Sequence, residues 1–200
     1  DYYDFLEKED GSLGIAIADA SGKGVPAALM VSLLHASLRA VVKDKLEPSE
    51  IVSSINQLIT SSVSSGRFAT MFYGEFNPFT RKLNYCNAGH NYPIVIRKDQ
   101  KIEFLHTGGL ILGAFPEATY EREEVFFEPE DLVFFYSDGL TENFNERQEM
   151  FGEDRLLELL LENRKLSPER LKERVIKEVE DFAQSVSLYD DFTMVILKVL

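Results

Sequence analysis

Three of the most apolar stretches of this chain each meet an aspartate at one end. Ile15-Ala16-Ile17-Ala18 runs into Asp19, Val133-Phe134-Phe135-Tyr136 runs into Ser137-Asp138, and Asp190-Asp191 precede Phe192-Thr193-Met194-Val195-Ile196. A strand buried on both faces is rigid, so acids at its mouth can be held about a common point, as binding or catalysis requires. Converging carboxylates repel one another unless protons or cations lie between them. A donor set made only of oxygens suits hard cations such as Mg²⁺ or Mn²⁺. Two such ions would draw a nucleophile from water at neutral pH and clamp the oxygens of a phosphoryl group during in-line displacement. Zinc fits poorly, because the histidines are His35, His90 and His106, the single cysteine is Cys86, and no HExxH or Cys₂His₂ spacing exists. Taken one at a time, each acid also reads as turn chemistry: Asp138-Gly139 is a turn dipeptide, and Asp19 could cap the turn that follows it.

Other residues offer weaker chemistry. Lys23 sits between Gly22 and Gly24 at an expected helix start, where backbone N–H groups and the helix dipole favour an anion; the alternative is a solvated lysine. Ser21-Gly22-Lys23-Gly24 fails as a P-loop, which would need glycine at Ile17 and serine or threonine at Gly24. His90 could give a proton to a departing oxygen, but Gly89-His90-Asn91 equally shapes a tight turn, and that structural reading leads. Cys86 alternates with Tyr85 along a strand and is expected to pack; a nucleophilic role would need a positioned base.

The elements that must position these residues are legible from periodicity. A helix is expected from about Val25 to Val42, with Pro26 in its first turn and Leu29, Met30, Leu33, Leu34, Leu38, Val41 and Val42 on one stripe. A second follows Pro48, with Ile51, Val52, Ile55, Leu58 and Ile59. Near the carboxyl end, Arg155–Glu162 carries a leucine face, and Ser167-Pro168 caps a last helix bearing Leu171, Val175, Val179, Phe182 and Val186. Strands are expected at Leu13–Ala18, Phe68–Phe76, Lys82–Asn87, Tyr92–Arg97, Lys101–Leu105, Glu124–Phe127, Leu132–Tyr136 and Phe192–Val199. Strand, helix pair, a run of strands, helix pair, strand is the order of a layered α+β fold and not of βαβ repeats.

The chain has 200 residues with 44% hydrophobic content, enough for a full core, and is read as one domain over 1–200. The polar-aromatic start, Asp1-Tyr2-Tyr3-Asp4-Phe5, reads as the inside of an element, so the domain is expected to be excised from a longer regulatory protein. A net charge of −13 without a Lys/Arg cluster argues against nucleic acid as a partner. One cysteine excludes an internal disulfide framework, and no apolar run approaches membrane-spanning length, so no membrane contact by this segment is expected. A cytoplasmic location is expected, including as the cytoplasmic part of a longer sensor.

The segments Asp1-Tyr2-Tyr3-Asp4, Asp19-Ala20-Ser21-Gly22-Lys23-Gly24-Val25-Pro26-Ala27-Ala28, Phe68-Ala69-Thr70-Met71-Phe72-Tyr73-Gly74, Asn87-Ala88-Gly89-His90-Asn91, Ser137-Asp138-Gly139 and Asp190-Asp191-Phe192-Thr193 resemble those of the SpoIIE/RsbU-type phosphatases. These are the bacterial branch of the metal-dependent, type 2C-like protein phosphatases. The resemblance runs from end to end in the family's order. It implies an α-β-β-α sandwich of two antiparallel sheets flanked by helices, with two Mn²⁺ or Mg²⁺ ions. By position, Asp19 resembles the ligand bridging both metals, the Ala20 carbonyl serves one metal, and Asp138 and Asp190 serve the other. Asp1 matches the remaining acid, acting directly or through water; the family's ligand is the first acid of the Asp190-Asp191 pair and not the second, and Asp4 is given no role by the resemblance. Asp19 and Asp138 would carry catalysis, with Lys23 near substrate phosphate.

The implied function is hydrolysis of phosphoserine or phosphothreonine on a regulatory protein, usually a STAS-domain anti-sigma-factor antagonist. Homodimer formation is a further expectation of the family. Phe192 stands where methionine is more usual, a departure that removes no ligand. The alternative is a non-catalytic or conditionally active regulatory module of the same fold, against which stands the presence of every expected metal-ligand aspartate.

Overall fold

A computed structural model describes residues 1–43, 46–63, 66–184 and 191–200. The chain's contacts group it into two compact units, Asp1–Tyr92 with His106–Phe126, and Pro93–Leu105 with Phe127–Leu200.

The first unit sets a helix pair on one face of a six-stranded sheet. Its strands are β1 (Tyr2–Glu7), β2 (Leu13–Ala20), β3 (Ala69–Asn77), β4 (Lys82–Ala88), β7 (Gly108–Gly109) and β8 (Glu123–Phe126). The order is β1-β2-β3-β4, with β4 also pairing β7 and β8. Pairing is antiparallel except for the short parallel contact of β4 with β7. The helices are α1 (Val25–Val41) and α2 (Pro48–Ser62). Gly24 precedes α1 with φ of 73°, a left-handed geometry that glycine adopts without a Cβ clash, and proline occupies the first turn. Glu47 and Glu50 close a reciprocal capping box at the start of α2.

The core beneath these helices joins Met30, Leu34 and Leu38 of α1 and Ile51, Val52, Ile55 and Ile59 of α2 to Ala16, Ala18, Ala20, Met71, Tyr73, Cys86 and Ala88 of the sheet. Alanines at alternate β2 positions let the helices approach closely. Two residues of the expected stripes lie outside this core: Leu29 is 66% and Leu58 42% exposed. Each sits at the margin of its stripe, and the sheet contacts a narrower arc than the apolar pattern offers.

The second unit carries β5 (Ile94–Ile96), β6 (Ile102–Phe104), β9 (Leu132–Tyr136) and β10 (Met194–Lys198) in the order β10-β9-β5-β6, all antiparallel. Its helices are the short α3 (Asp138–Thr141), α4 (Glu153–Asn163) and α5 (Pro168–Ala183). The Ser167 hydroxyl caps α5 by accepting the Arg170 N–H at 3.4 Å. Leu156, Leu159 and Leu160 of α4 and Leu171, Val175 and Val179 of α5 pack on Ile94, Ile96, Leu132, Phe134 and Tyr136. Phe182 packs at the margin of this core, and Val186 lies outside the described residues. Helices with two mostly antiparallel sheets are the content expected of the α+β class. No described helix is long and apolar enough to cross a membrane.

Candidate functional site

In the first unit the register Tyr2↔Ala18 sets Asp1 opposite Asp19, and the Asp1 main-chain nitrogen lies 3.9 Å from Asp19 Oδ1. Asp19 faces away from the helices, because its neighbours Ala18 and Ala20 are locked into the helix-side core. Its side chain is 35% exposed and that of Asp1 10%. The buried Ala20 side chain fixes the backbone whose carbonyl is the expected ligand, and the next residue is tied across the sheet. Ser21 N–H donates to the Phe68 carbonyl at 3.0 Å, and Phe68 N–H donates to Ser21 Oγ at 3.1 Å.

Asp4 falls on the opposite face from Asp1 and Asp19. Arg39 donates to it twice, from Nε at 2.8 Å and Nη2 at 2.7 Å, and the Tyr2 hydroxyl donates at 2.9 Å. Burial alone would raise the Asp4 carboxyl; the bonds from Arg39 and Tyr2 outweigh it and hold the group below the ordinary carboxylate range. Asp4 is therefore a structural acid. Lys23 is exposed in the turn that opens α1.

In the second unit Asp138 opens α3 directly after β9, a strand buried on both faces. Ser137 locks the strand end to the start of β10: its N–H donates to the Thr193 carbonyl at 3.0 Å, and its Oγ accepts the Thr193 N–H at 2.8 Å. Gly139 is required next to the acid. A Cβ there would stand 2.2 Å from the Asp191 carbonyl oxygen, so the Asp191 backbone runs against the first turn of α3. Asp138 and Asp191 are thus neighbours in this unit, both exposed, and Asp190 lies outside the described residues.

Each unit by itself brings acids together at a strand end: Asp1 with Asp19, and Asp138 with the Asp191 backbone. Among the described residues no group of three or more His, Cys, Asp or Glu side chains is gathered as a metal site; the expected ligand set also draws on a backbone carbonyl and on Asp190. The donor chemistry on both units is oxygen only, which fits Mg²⁺ or Mn²⁺ and not zinc.

His90 is 3% exposed in the turn after β4, with its N–H donating to Asn87 Oδ1 at 2.8 Å and its carbonyl accepting from Asn87 Nδ2 at 3.1 Å. These bonds support the turn-shaping reading. Its Nδ1 lies 2.8 Å from Thr70 Oγ1, a contact sequence reasoning did not anticipate. The one available signal was a threonine at the period-two position shared with Phe72 in an apolar strand. Cys86 is fully buried, and burial pushes its thiol up to about 12, so it is neutral at physiological pH and inert as a nucleophile. His35 and His106 rest against the rings of Tyr2 and Tyr92.

A sequence profile of the family described as Stage II sporulation protein E (SpoIIE) matches residues 9–200. The phosphoserine phosphatase RsbU of Bacillus subtilis is 31% identical over 202 residues, covering 99% of this chain and 58% of RsbU. Among solved structures, the SiaA-PP2C domain of Pseudomonas aeruginosa superposes with a TM-score of 0.85 at 21% identity, covering 98% of this chain and 79% of that one. RsbX, solved in complex with magnesium, superposes with a TM-score of 0.71 at 17% identity, covering 98% of this chain and 84% of that one. The chain belongs to the SpoIIE family and has the fold of PP2C-type domains. It spans between a third and three-fifths of the length of these curated relatives, 58% for RsbU and 33% for a stage II sporulation protein E of Priestia megaterium.

Proposed function

We propose that this chain is a metal-dependent protein phosphatase domain that hydrolyses phosphoserine or phosphothreonine on a regulatory protein. The observation that carries this reading is the match to a phosphoserine phosphatase across 99% of the chain. The local geometry of the acids supports it. Asp19, Asp138 and Asp190 and the Ala20 carbonyl would hold the cations, with Asp1 as the further acid, directly or through water. Divalent cations bound there would lower the pKa of water and act as Lewis acids on the phosphoryl oxygens; the magnesium complex of RsbX supports the choice of a hard ion. Asp19 and Asp138 would supply oxygen ligands and negative charge to hold the cations. Lys23, exposed beside the α1 N-terminus, is suited to meet substrate phosphate. The substrate of this reading is a phosphorylated STAS-domain anti-sigma-factor antagonist, encountered in the cytoplasm.

The test is phosphate release from a phosphoserine protein and from an aryl phosphate in the presence of Mn²⁺, with a chelator and the Asp19→Asn and Asp138→Asn variants alongside. Turnover should vanish with chelator and fall by at least about 100-fold in either variant, in the range expected when a group central to charge stabilisation is lost. Wild-type rates in both variants would overturn the assignment, and metal binding without turnover on either substrate would favour a non-catalytic module.

A further inference from the structure

The sheet face of the first unit that turns away from α1 and α2 carries polar side chains at one end, above an apolar floor. The register sets Asp1 opposite Asp19 and Asp19 opposite Thr70, while Asn87 stands opposite Phe72 in β4. Ile17, Phe72 and Tyr85 form the floor, all fully buried. Into this row comes the His90 ring, whose Nδ1 lies 2.8 Å from Thr70 Oγ1. The ring's backbone is gripped at both its N–H and its carbonyl by the Asn87 amide. The turn is thus already held by Asn87, and shaping it does not require an imidazole joined to a strand hydroxyl. His90 is buried and Thr70 half-buried, and burying a polar ring is worthwhile only if its hydrogen bonds are used.

We infer that Thr70 and His90 are positioning residues for Asp19. This rests on the metal reading of Asp19 given above. Directly paired residues of an antiparallel ladder have Cβ atoms about 4.5–5.5 Å apart on the same face, within reach of a threonine hydroxyl and an aspartate carboxylate. With its proton on Nδ1, His90 donates to Thr70 Oγ1, and the Thr70 hydroxyl keeps its own proton to donate toward the Asp19 carboxylate. The acid is thereby held in one orientation for a cation. Partners that orient a metal-bound ligand in this way are worth about 10–100-fold in metal affinity or activity.

The deciding variant is Thr70→Val, which keeps the β-branched shape and removes the hydroxyl, with Thr70→Ser as the conservative rescue. Mn²⁺ binding to the 200-residue chain is measured by calorimetry, and melting in excess chelator reports whether each variant is folded. The expected result is Mn²⁺ affinity weakened about 10–100-fold in Thr70→Val and restored to within about threefold in Thr70→Ser, with the same loss in a folded His90→Leu protein. If wild type binds Mn²⁺, Asp19→Asn abolishes binding and Thr70→Val binds as wild type does, the inference is overturned while the metal reading stands. If wild type binds no Mn²⁺, both fall together.

Discussion

Asp19 owes its direction to the two alanines beside it in sequence. Ala18 and Ala20 are held in the core beneath α1 and α2, so strand alternation turns Asp19 to the other face. The same alternation separates Asp1 from Asp4, which the motif alone leaves undecided. Asp4 is taken up by Arg39 and Tyr2, and its lowered carboxyl makes a testable contribution to acid stability. A carboxyl depressed in the folded state stabilises fully above its unfolded value, here near 3.8, and that stabilisation is lost as pH falls through the folded value. Arg39→Met removes the partner and raises the folded value. Its acid-unfolding midpoint, followed by circular dichroism, should move to higher pH, whereas an unmoved midpoint would show that the pair contributes nothing.

At the scale of elements, the second unit's acids depend on how β9 and β10 end. The Ser137–Thr193 bonds join the strand ends, and Gly139 lets the Asp191 backbone lie against α3. Gly139→Ala would place a methyl 2.2 Å from a carbonyl oxygen that belongs to backbone and cannot swing aside. We expect a stability loss of about 2 kcal/mol from overpacking, read from urea denaturation, and a loss of Mn²⁺-dependent turnover larger than the stability change explains. Full turnover in this variant would show that the close approach of the Asp191 backbone to α3 is not critical. Most strand positions were legible from apolar runs bounded by turn residues, as were the helices from their stripes, but not which strand pairs with which. β1, β7 and α3 were not. β1 is an edge strand whose Asp4 and Glu7 break the apolar pattern, as edges tolerate, while β7 has two residues and α3 four, too few to show a period.

For the whole molecule, a net charge of −13 makes the folded chain a setting in which bound cations relieve repulsion among acids. Cations that bind the folded chain and not the unfolded one must raise its stability, by about 2.7 kcal/mol at a free concentration 100 times Kd. The melting midpoint should therefore rise with MnCl₂, return on adding chelator, and respond far less in Asp138→Asn. A midpoint indifferent to Mn²⁺ in the wild type would count against the metal reading at every scale.

The sequence by itself determined the helix stripes, most strand positions, the oxygen-only donor set and, through its motifs, the family. These are local properties: periodicity and residue type within about ten positions decide them. Tertiary structure alone decided that Leu29 and Leu58 face outward, that Asp4 turns to Arg39, that Thr70 meets His90, and that Gly139 yields its space to Asp191. Each of these follows from the register of one strand against another or the rotation of a helix over a sheet. Such choices are made by packing between segments distant in the chain, and no local pattern carries them.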